Sequence, residues 1–147
     1  KMLAVGCVRL GEVMVVKGRP VPHRQALVAE TAGGAILQAL AAYPANVQVQ
    51  CVALQALSCM TARNSAACAA VSGHGVNHLL ASMGNHGASA SVQRRACNLA
   101  LQLSVYGSAE VCAALAQAGA VQALVAALQA HGADGGAFSL LAPHFCV

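Results

Sequence analysis

SVQRRACNLALQLSVYGSAEVCAALAQAGAVQALVAALQA, residues 91–130, is the stretch that decides the fold, because an earlier part of the chain repeats its layout. A Val-Gln pair at 92 and 93 opens apolar residues spaced i, i+4, i+7, i+8 and i+11, which is one face of an α-helix. A second Val-Gln pair opens the same spacing 43 residues earlier. The two series are Val92, Ala96, Leu99, Ala100 and Leu103, and Val49, Ala53, Ala56, Leu57 and Met60.

Another apolar pattern recurs three times, at separations of 40 and then 45 residues. It begins at Ile36, Val76 and Val121, and it continues three, four and seven positions after each of them. Helical repeats of roughly 40 to 47 residues are typical of the armadillo and HEAT class of solenoids. The sequence therefore predicts an all-α fold built from helical units of this length.

Composition limits the class of protein. With 147 residues, the chain is long enough for about three such units. Hydrophobic residues make up 58% and charged residues 8%, but polar residues or glycines interrupt every apolar run before the roughly 18 to 20 residues that a spanning helix needs. We therefore expect no membrane insertion. A small membrane-associated helical subunit is the alternative interpretation of this apolar composition.

Cysteine usage and charge indicate the compartment and limit the class of partner. The seven cysteines are odd in number and scattered through helical segments, which is unlike a disulfide framework. We expect buried thiols that fill space in a reducing compartment, and therefore a cytoplasmic location. The net charge of +4 contains no block of like charge, so nucleic acid is not an expected partner.

Prolines and glycines divide the chain into segments. We predict that residues 1–23 contain the last helix of a preceding repeat and a loop. The chain is therefore expected to be a piece of a longer protein. Two repeats follow at 24–63 and 64–107, then a partial repeat at 108–131 and an irregular tail or cap at 132–147. Within each repeat, glycine is expected to end the short first helix. The predicted helices are 2–16, 24–31, 35–43, 46–60, 64–72, 76–83, 90–103, 108–117 and 120–130.

Two segments resemble the second and third helices of an armadillo repeat: residues 118–128, AGAVQALVAAL, and residues 49–60, VQCVALQALSCM. The family pattern is Gly-Gly-Ile, a Leu-Val-x-Leu-Leu body, and then Val-Gln-x-x-Ala-x-x-Ala-Leu-x-Asn-Leu. The resemblance covers roughly residues 24–130, and the proline and Asp/Arg pattern of HEAT repeats is not found. It implies a right-handed superhelix of about three three-helix repeats, whose third helices line a concave groove for extended peptides or protein surfaces.

Armadillo proteins include adhesion and signalling scaffolds, nuclear import adaptors and structural proteins of cilia. The resemblance therefore implies a non-enzymatic scaffold that binds protein partners in a larger assembly, with cytoskeletal and ciliary structures among its candidate locations. The asparagine that holds a bound peptide in import adaptors is replaced here by Cys59 and Gln102, and the tryptophan one turn earlier by Gln55 and Asn98. Since the chain has no tryptophan, binding of nuclear import signals is not expected.

Helix geometry predicts which residues face the groove. At about 100° per residue, the side opposite the packed positions carries polar residues on both Val-Gln helices. Amides suit recognition of a peptide main chain, and Arg94 can pair with an acidic group. These residues are also explained as solvated side chains without a role, an alternative that the sequence leaves open. The candidate protein-binding residues are Gln55, Cys59, Arg94, Asn98 and Gln102.

No catalytic residue, metal site or cofactor is expected. His74 and His78 are spaced i, i+4 and Cys68 lies nearby, but a structural zinc site needs four ligands in close pairs. The chain has only four carboxylates, which leaves few candidates for acid-base catalysis. No glycine-rich loop leads into Lys-Ser or Lys-Thr, so a phosphate-binding loop is not predicted.

Overall fold

The computed structural model describes residues 15–16, 19–20 and 22–131, and the side chains of residues 32–131. In this part of the chain, Val15–Val16 (β1) and Arg19–Pro20 (β2) form a two-residue antiparallel pairing, and helices make up nearly all of the rest. The all-α class is confirmed for residues 22–131. The helices are α1 (Pro22–Ala42), α2 (Val47–Thr61), α3 (Ser65–Asn85), α4 (Ala90–Tyr106), α5 (Ala109–Gln117) and α6 (Ala120–His131).

The region before α1 differs from the prediction. The repeat pattern predicts a helix that continues through residue 16, whereas Val15–Val16 is a strand. The preference of valine for extended backbone therefore outweighs the repeat pattern at these two positions. The rest of that predicted helix, and the predicted tail or cap at 132–147, lie outside the described residues.

Side-chain caps mark the starts of two helices, α2 and α3. Asn46 Oδ1 accepts hydrogen bonds from the backbone N–H groups of Gln48 and Val49, both at 3.1 Å. Asn64 Oδ1 accepts one from Ala67 at 3.0 Å. These asparagines satisfy donors that the first turn of a helix leaves unpaired, and the helix starts predicted beside them are confirmed.

Glycine ends a helix at only one of the three places where the sequence predicts it. Gly119 has a φ of 86°, the left-handed conformation that separates α5 from α6. By contrast, α1 runs through the glycines at 33–34 and α3 through those at 73–75, so these two predicted breaks are wrong. A glycine inside a helix costs only about 1 kcal/mol relative to alanine, and tertiary packing outweighs that cost here.

Close packing explains one of these internal glycines. Gly75 is buried, and a Cβ atom at this position would lie 3.5 Å from the side chain of Leu37 on α1 and 2.6 Å from Cγ1 of Val71. The contact with Leu37 would be an ordinary one, so it is Val71, one turn earlier on α3, that leaves no room for a side chain at this position.

The core follows the apolar faces of the two Val-Gln helices. Ala53 and Ala96, which occupy the same position in the two series, are both 0% exposed. Of the ten residues in the two series, all are buried except Val49, which is half-buried. The predicted packing faces are therefore confirmed. Burial on α2 extends further round the helix than predicted, because Ser58 and Cys59 are buried as well.

Contacts between helices follow the order of the chain. The largest contact joins α2 to α4, and α1 packs against both α2 and α3. Helix α3 also packs against α4, and both α5 and α6 rest on α3 and α4. Within residues 22–131, the main contacts therefore join helices that are near neighbours in the sequence.

Two buried glutamines make the same pair of hydrogen bonds, 43 residues apart. In both, the side-chain Nε2 donates to the backbone carbonyls of the residues ten and seven positions earlier. The carbonyls of Leu40 and Met83 lie in the last turn of a helix, where the helix itself supplies no donor. Those of Tyr43 and His86 also accept from the backbone N–H groups of Asn46 and Ser89. The bonds join Gln50 to Leu40 (2.9 Å) and Tyr43 (3.0 Å), and Gln93 to Met83 (2.7 Å) and His86 (3.1 Å).

Two histidines also make equivalent bonds to the preceding loop. His86 Nε2 donates to the carbonyl of Pro44 at 2.7 Å, and His131 Nε2 donates to that of Gly87 at 2.8 Å. Each accepting carbonyl lies six residues before one of the buried glutamines. We call the place where α3 meets α1 and α2 the first junction, and the place where α6 meets α3 and α4 the second junction.

The repeated bonds correct the register of one sequence pattern. That pattern matches Ile36 with Val76, 40 residues later, whereas the glutamine bonds match Leu40 with Met83, 43 residues later. Ile36 therefore corresponds to Leu79, and both are buried.

Among the described residues, no single helix combines the length and apolar character needed to cross a membrane. Helices α5 and α6 meet that test only as a pair, and they are bent by 65° at the break between them.

Replacing Gln50 with leucine is expected to lower the free energy of unfolding by about 1–3 kcal/mol, because the Leu40 carbonyl at the end of α1 loses its donor, whereas that of Tyr43 keeps the backbone N–H of Asn46. Urea denaturation followed by circular dichroism measures the change. The matched control is Gln48→Leu, an exposed position on the same helix, where we expect a change within about 0.5 kcal/mol. Equal losses in the two variants would contradict the role of these bonds.

Candidate functional site

Polar side chains form a row along α2 and α4, the two helices in closest contact. We call this row the polar face. It contains four of the predicted binding residues and one that the sequence analysis missed. Its members are Gln55 on α2 and Arg94, Arg95, Asn98 and Gln102 on α4.

Arg95 connects the two helices. Its Nη1 donates a hydrogen bond to Oε1 of Gln55. Arg95 is half-buried, whereas its predicted neighbour Arg94 is exposed. An arginine can bury its aliphatic stem while its head group reaches a distant partner, so the direction of the Cβ atom alone does not identify it.

Two atoms of the polar face are shielded from water and have no hydrogen-bond partner. They are Nε of Arg95, a donor, and Oε1 of Gln102, an acceptor. A buried polar atom without a partner costs about 1–3 kcal/mol. Since the two residues are seven positions apart, they lie on the same side of α4, separated by about 10 Å along its axis.

The rest of the polar face offers amides and positive charge. Asn98 lies between Arg95 and Gln102 and is half-buried. Apart from histidines, the charged side chains between residues 32 and 131 are Arg63, Arg94, Arg95 and Glu110. The polar face therefore carries two positive charges and no carboxylate of its own, which favours an acidic partner.

Cys59, the fifth predicted binding residue, lies beneath this surface. It is 4% exposed, and Gln55 Nε2 donates to its Sγ at 3.6 Å. It is also disulfide-bonded, so the expectation that the thiols are free is wrong for Cys59. The free cysteines among the described residues are Cys51, Cys68, Cys97 and Cys112.

The cysteine beside Asn98 is a poor nucleophile. Burial raises the pKa of the Cys97 thiol to about 11, and it has the same effect on Cys68. Both thiols are therefore protonated near neutral pH, and the thiolate is the reactive form. In the described part of the chain, no three His, Cys, Asp or Glu side chains are placed to hold a metal ion.

Comparisons of the chain with protein-family models, curated proteins and solved structures gave no match.

Replacing Gln102 with methionine is expected to raise the free energy of unfolding by about 1 kcal/mol, because it removes a shielded acceptor that lacks a donor. Urea denaturation measures this change. Gln129→Met is the matched control: residue 129 is exposed on α6, so we expect an effect below about 0.5 kcal/mol. A loss of stability in Gln102→Met would show that the amide makes a favourable interaction in the free chain.

Iodoacetamide at about pH 8 is expected to label Cys112 well before Cys68 and Cys97. Cys112 is exposed, whereas burial raises the pKa of the other two thiols to about 11. At that pH, roughly one buried thiol in a thousand is a thiolate. Peptide mass spectrometry over a time course measures the rates, with the urea-denatured chain as the control in which all three sites react alike. Labelling of Cys97 as fast as Cys112 would contradict the burial argument.

Proposed function

We propose that residues 22–131 form a right-handed armadillo-like superhelix of about three three-helix repeats. Two features support this: the glutamine bonds recur at 43 residues, and the main helix contacts join near neighbours in the chain. A stack of repeats has such contacts because each repeat touches only the next. In this proposal α1 and α3 each correspond to the first two helices of a repeat, joined without a break.

The chain then acts as a non-enzymatic interaction module, and an extended segment of a partner protein binds along the polar face. The observation that carries this proposal is the unpaired donor on Arg95 and the unpaired acceptor on Gln102. A peptide main chain offers a carbonyl and an N–H group in every residue. About three extended residues span the roughly 10 Å between these positions. Such a segment can hydrogen-bond to both Nε of Arg95 and Oε1 of Gln102 when their side chains turn towards it.

Charge and exposed apolar residues define the partner further. Arg94 is exposed and can form a charge-assisted hydrogen bond with a carboxylate. Leu101 and Val105, also on α4, are 39% and 59% exposed, and apolar residues of this kind suit contact with a partner. The proposed ligand is therefore an acidic segment that also contains apolar residues.

The armadillo resemblance supports a role as a structural subunit of a larger assembly. A location in the cytoplasm, including cytoskeletal or ciliary structures, is proposed from that resemblance.

Selection from a displayed library of unstructured 12-residue peptides on the 147-residue chain tests the proposal. We expect acidic peptides to be enriched. Fluorescence polarisation should then show affinity about tenfold weaker for Arg94→Glu, since an attractive charge pair becomes repulsive. A selected peptide in which Gln replaces Glu should bind the unchanged chain with a similar loss of affinity.

Ala116→Glu is the control variant, because it adds a negative charge at an exposed position on α5, outside the polar face. It should leave the affinity within about twofold. If Arg94→Glu and Asn98→Ala both bind the selected peptides as tightly as the unchanged chain, the peptides bind elsewhere and the proposal is wrong.

A further inference from the structure

The second junction contains a cavity that is separate from the polar face. Its volume is about 390 Å³. Helix α3 and the loop after it contribute Leu80, Met83, Gly84 and Gly87, and α6 contributes four alanines. Among the described residues, the remaining lining residue is Gln93, so the described walls are apolar apart from one side-chain amide.

Gln93 lines this cavity and carries an acceptor that no described residue uses. The side chain is 3% exposed, and both of its hydrogen bonds are donated by Nε2. Its Oε1 accepts no hydrogen bond from any residue between 32 and 131. At the first junction, by contrast, Oε1 of the equivalent Gln50 accepts a hydrogen bond from the hydroxyl of Ser82.

The missing donor follows from one substitution in the repeat. Ser82 lies four residues before His86, and Ala127 lies four residues before His131. Because the two histidines make equivalent bonds to the preceding loop, Ala127 occupies the place of Ser82. Alanine has no hydroxyl group, so the glutamine of the second junction keeps an unpaired acceptor.

The cavity itself results from smaller residues at equivalent positions. Several lining residues of the second junction are smaller than their counterparts in the first, and the remaining ones are similar in size. A Cβ atom added at Gly84 or Gly87 would meet no heavy atom within 4 Å. The smaller residues, each after its first-junction counterpart, are Ala41 and Gly84, Pro44 and Gly87, His78 and Ala123, Ser82 and Ala127, and Asn85 and Ala130.

We infer that this cavity binds a small neutral molecule with an apolar body and one hydroxyl or N–H donor, which pairs with Oε1 of Gln93. Pockets for small ligands are mostly apolar, contain a few fixed polar groups and have volumes from roughly 300 Å³ upward. None of the described lining residues is charged, so they offer no partner to a charged ligand. A donor on the ligand takes the place that the Ser82 hydroxyl has at the first junction.

Titration of the ¹⁵N-labelled 147-residue chain with indole tests this inference, with benzofuran as a ligand of the same shape that lacks the N–H group. We expect saturable shifts of the backbone amides of Gly84, Gly87 and residues 123–130. Indole should bind about tenfold more tightly than benzofuran, the contribution of one hydrogen bond.

Ala127→Ser supplies the missing hydroxyl within the protein and is expected to weaken indole binding about tenfold. Ala116→Ser makes the same change at an exposed position on α5 and should leave binding unchanged. No saturable shift, equal affinity for indole and benzofuran, or unchanged indole affinity in Ala127→Ser would each overturn the inference. The comparison of the two ligands uses the unchanged chain, so it does not depend on the folding of a variant.

Discussion

The ends of α1 and α3 leave the backbone carbonyls of Leu40 and Met83 in need of a donor, and the side chains of Gln50 and Gln93 supply it. One amide nitrogen serves two carbonyls and so fixes the loop between two helices. At the first junction, Gln50 Oε1 also accepts from the following long helix, so a single side chain connects three helices. Because Gln50 and Gln93 lie in the first turns of α2 and α4, these bonds connect the start of each helix that carries the polar face to the end of the helix before it.

The sequence predicted the helical class and the packed faces because both follow from the spacing of apolar residues. It did not predict the role of Gln50 and Gln93, which served only as landmarks beside Val49 and Val92. Hydrophobic periodicity counts apolar side chains, and it contains no information about which carbonyls need a donor. The two wrong glycine breaks have a similar cause. Local preference there is worth about 1 kcal/mol, and contacts between distant residues outweigh it.

The candidate site was predictable to the extent that it follows the direction of side chains around a helix. Gln55, Asn98 and Gln102 lie on the polar face, whose α2 and α4 positions the helix projection identified. Arg95 was missed because its length carries its head group away from the direction of its Cβ atom. The cavity at the second junction could not be predicted from the sequence, for another reason. It depends on aligning Ser82 with Ala127, and the pattern that begins at Ile36 gave a register of 40 residues where the hydrogen bonds give 43.

A repeated framework helps to separate structural groups from functional ones. Bonds that occur at both junctions, such as those from glutamine Nε2 and from the histidines, are explained by the need to satisfy the ends of helices. A polar atom that is paired at one junction and unpaired at the other has no such explanation, since the fold forms with either. Oε1 of Gln93 is an atom of this kind, and Gln93 lines a cavity made by smaller residues. Because stability requires the shared bonds and tolerates variation in the unshared ones, ligand recognition can change at one junction while the framework stays the same.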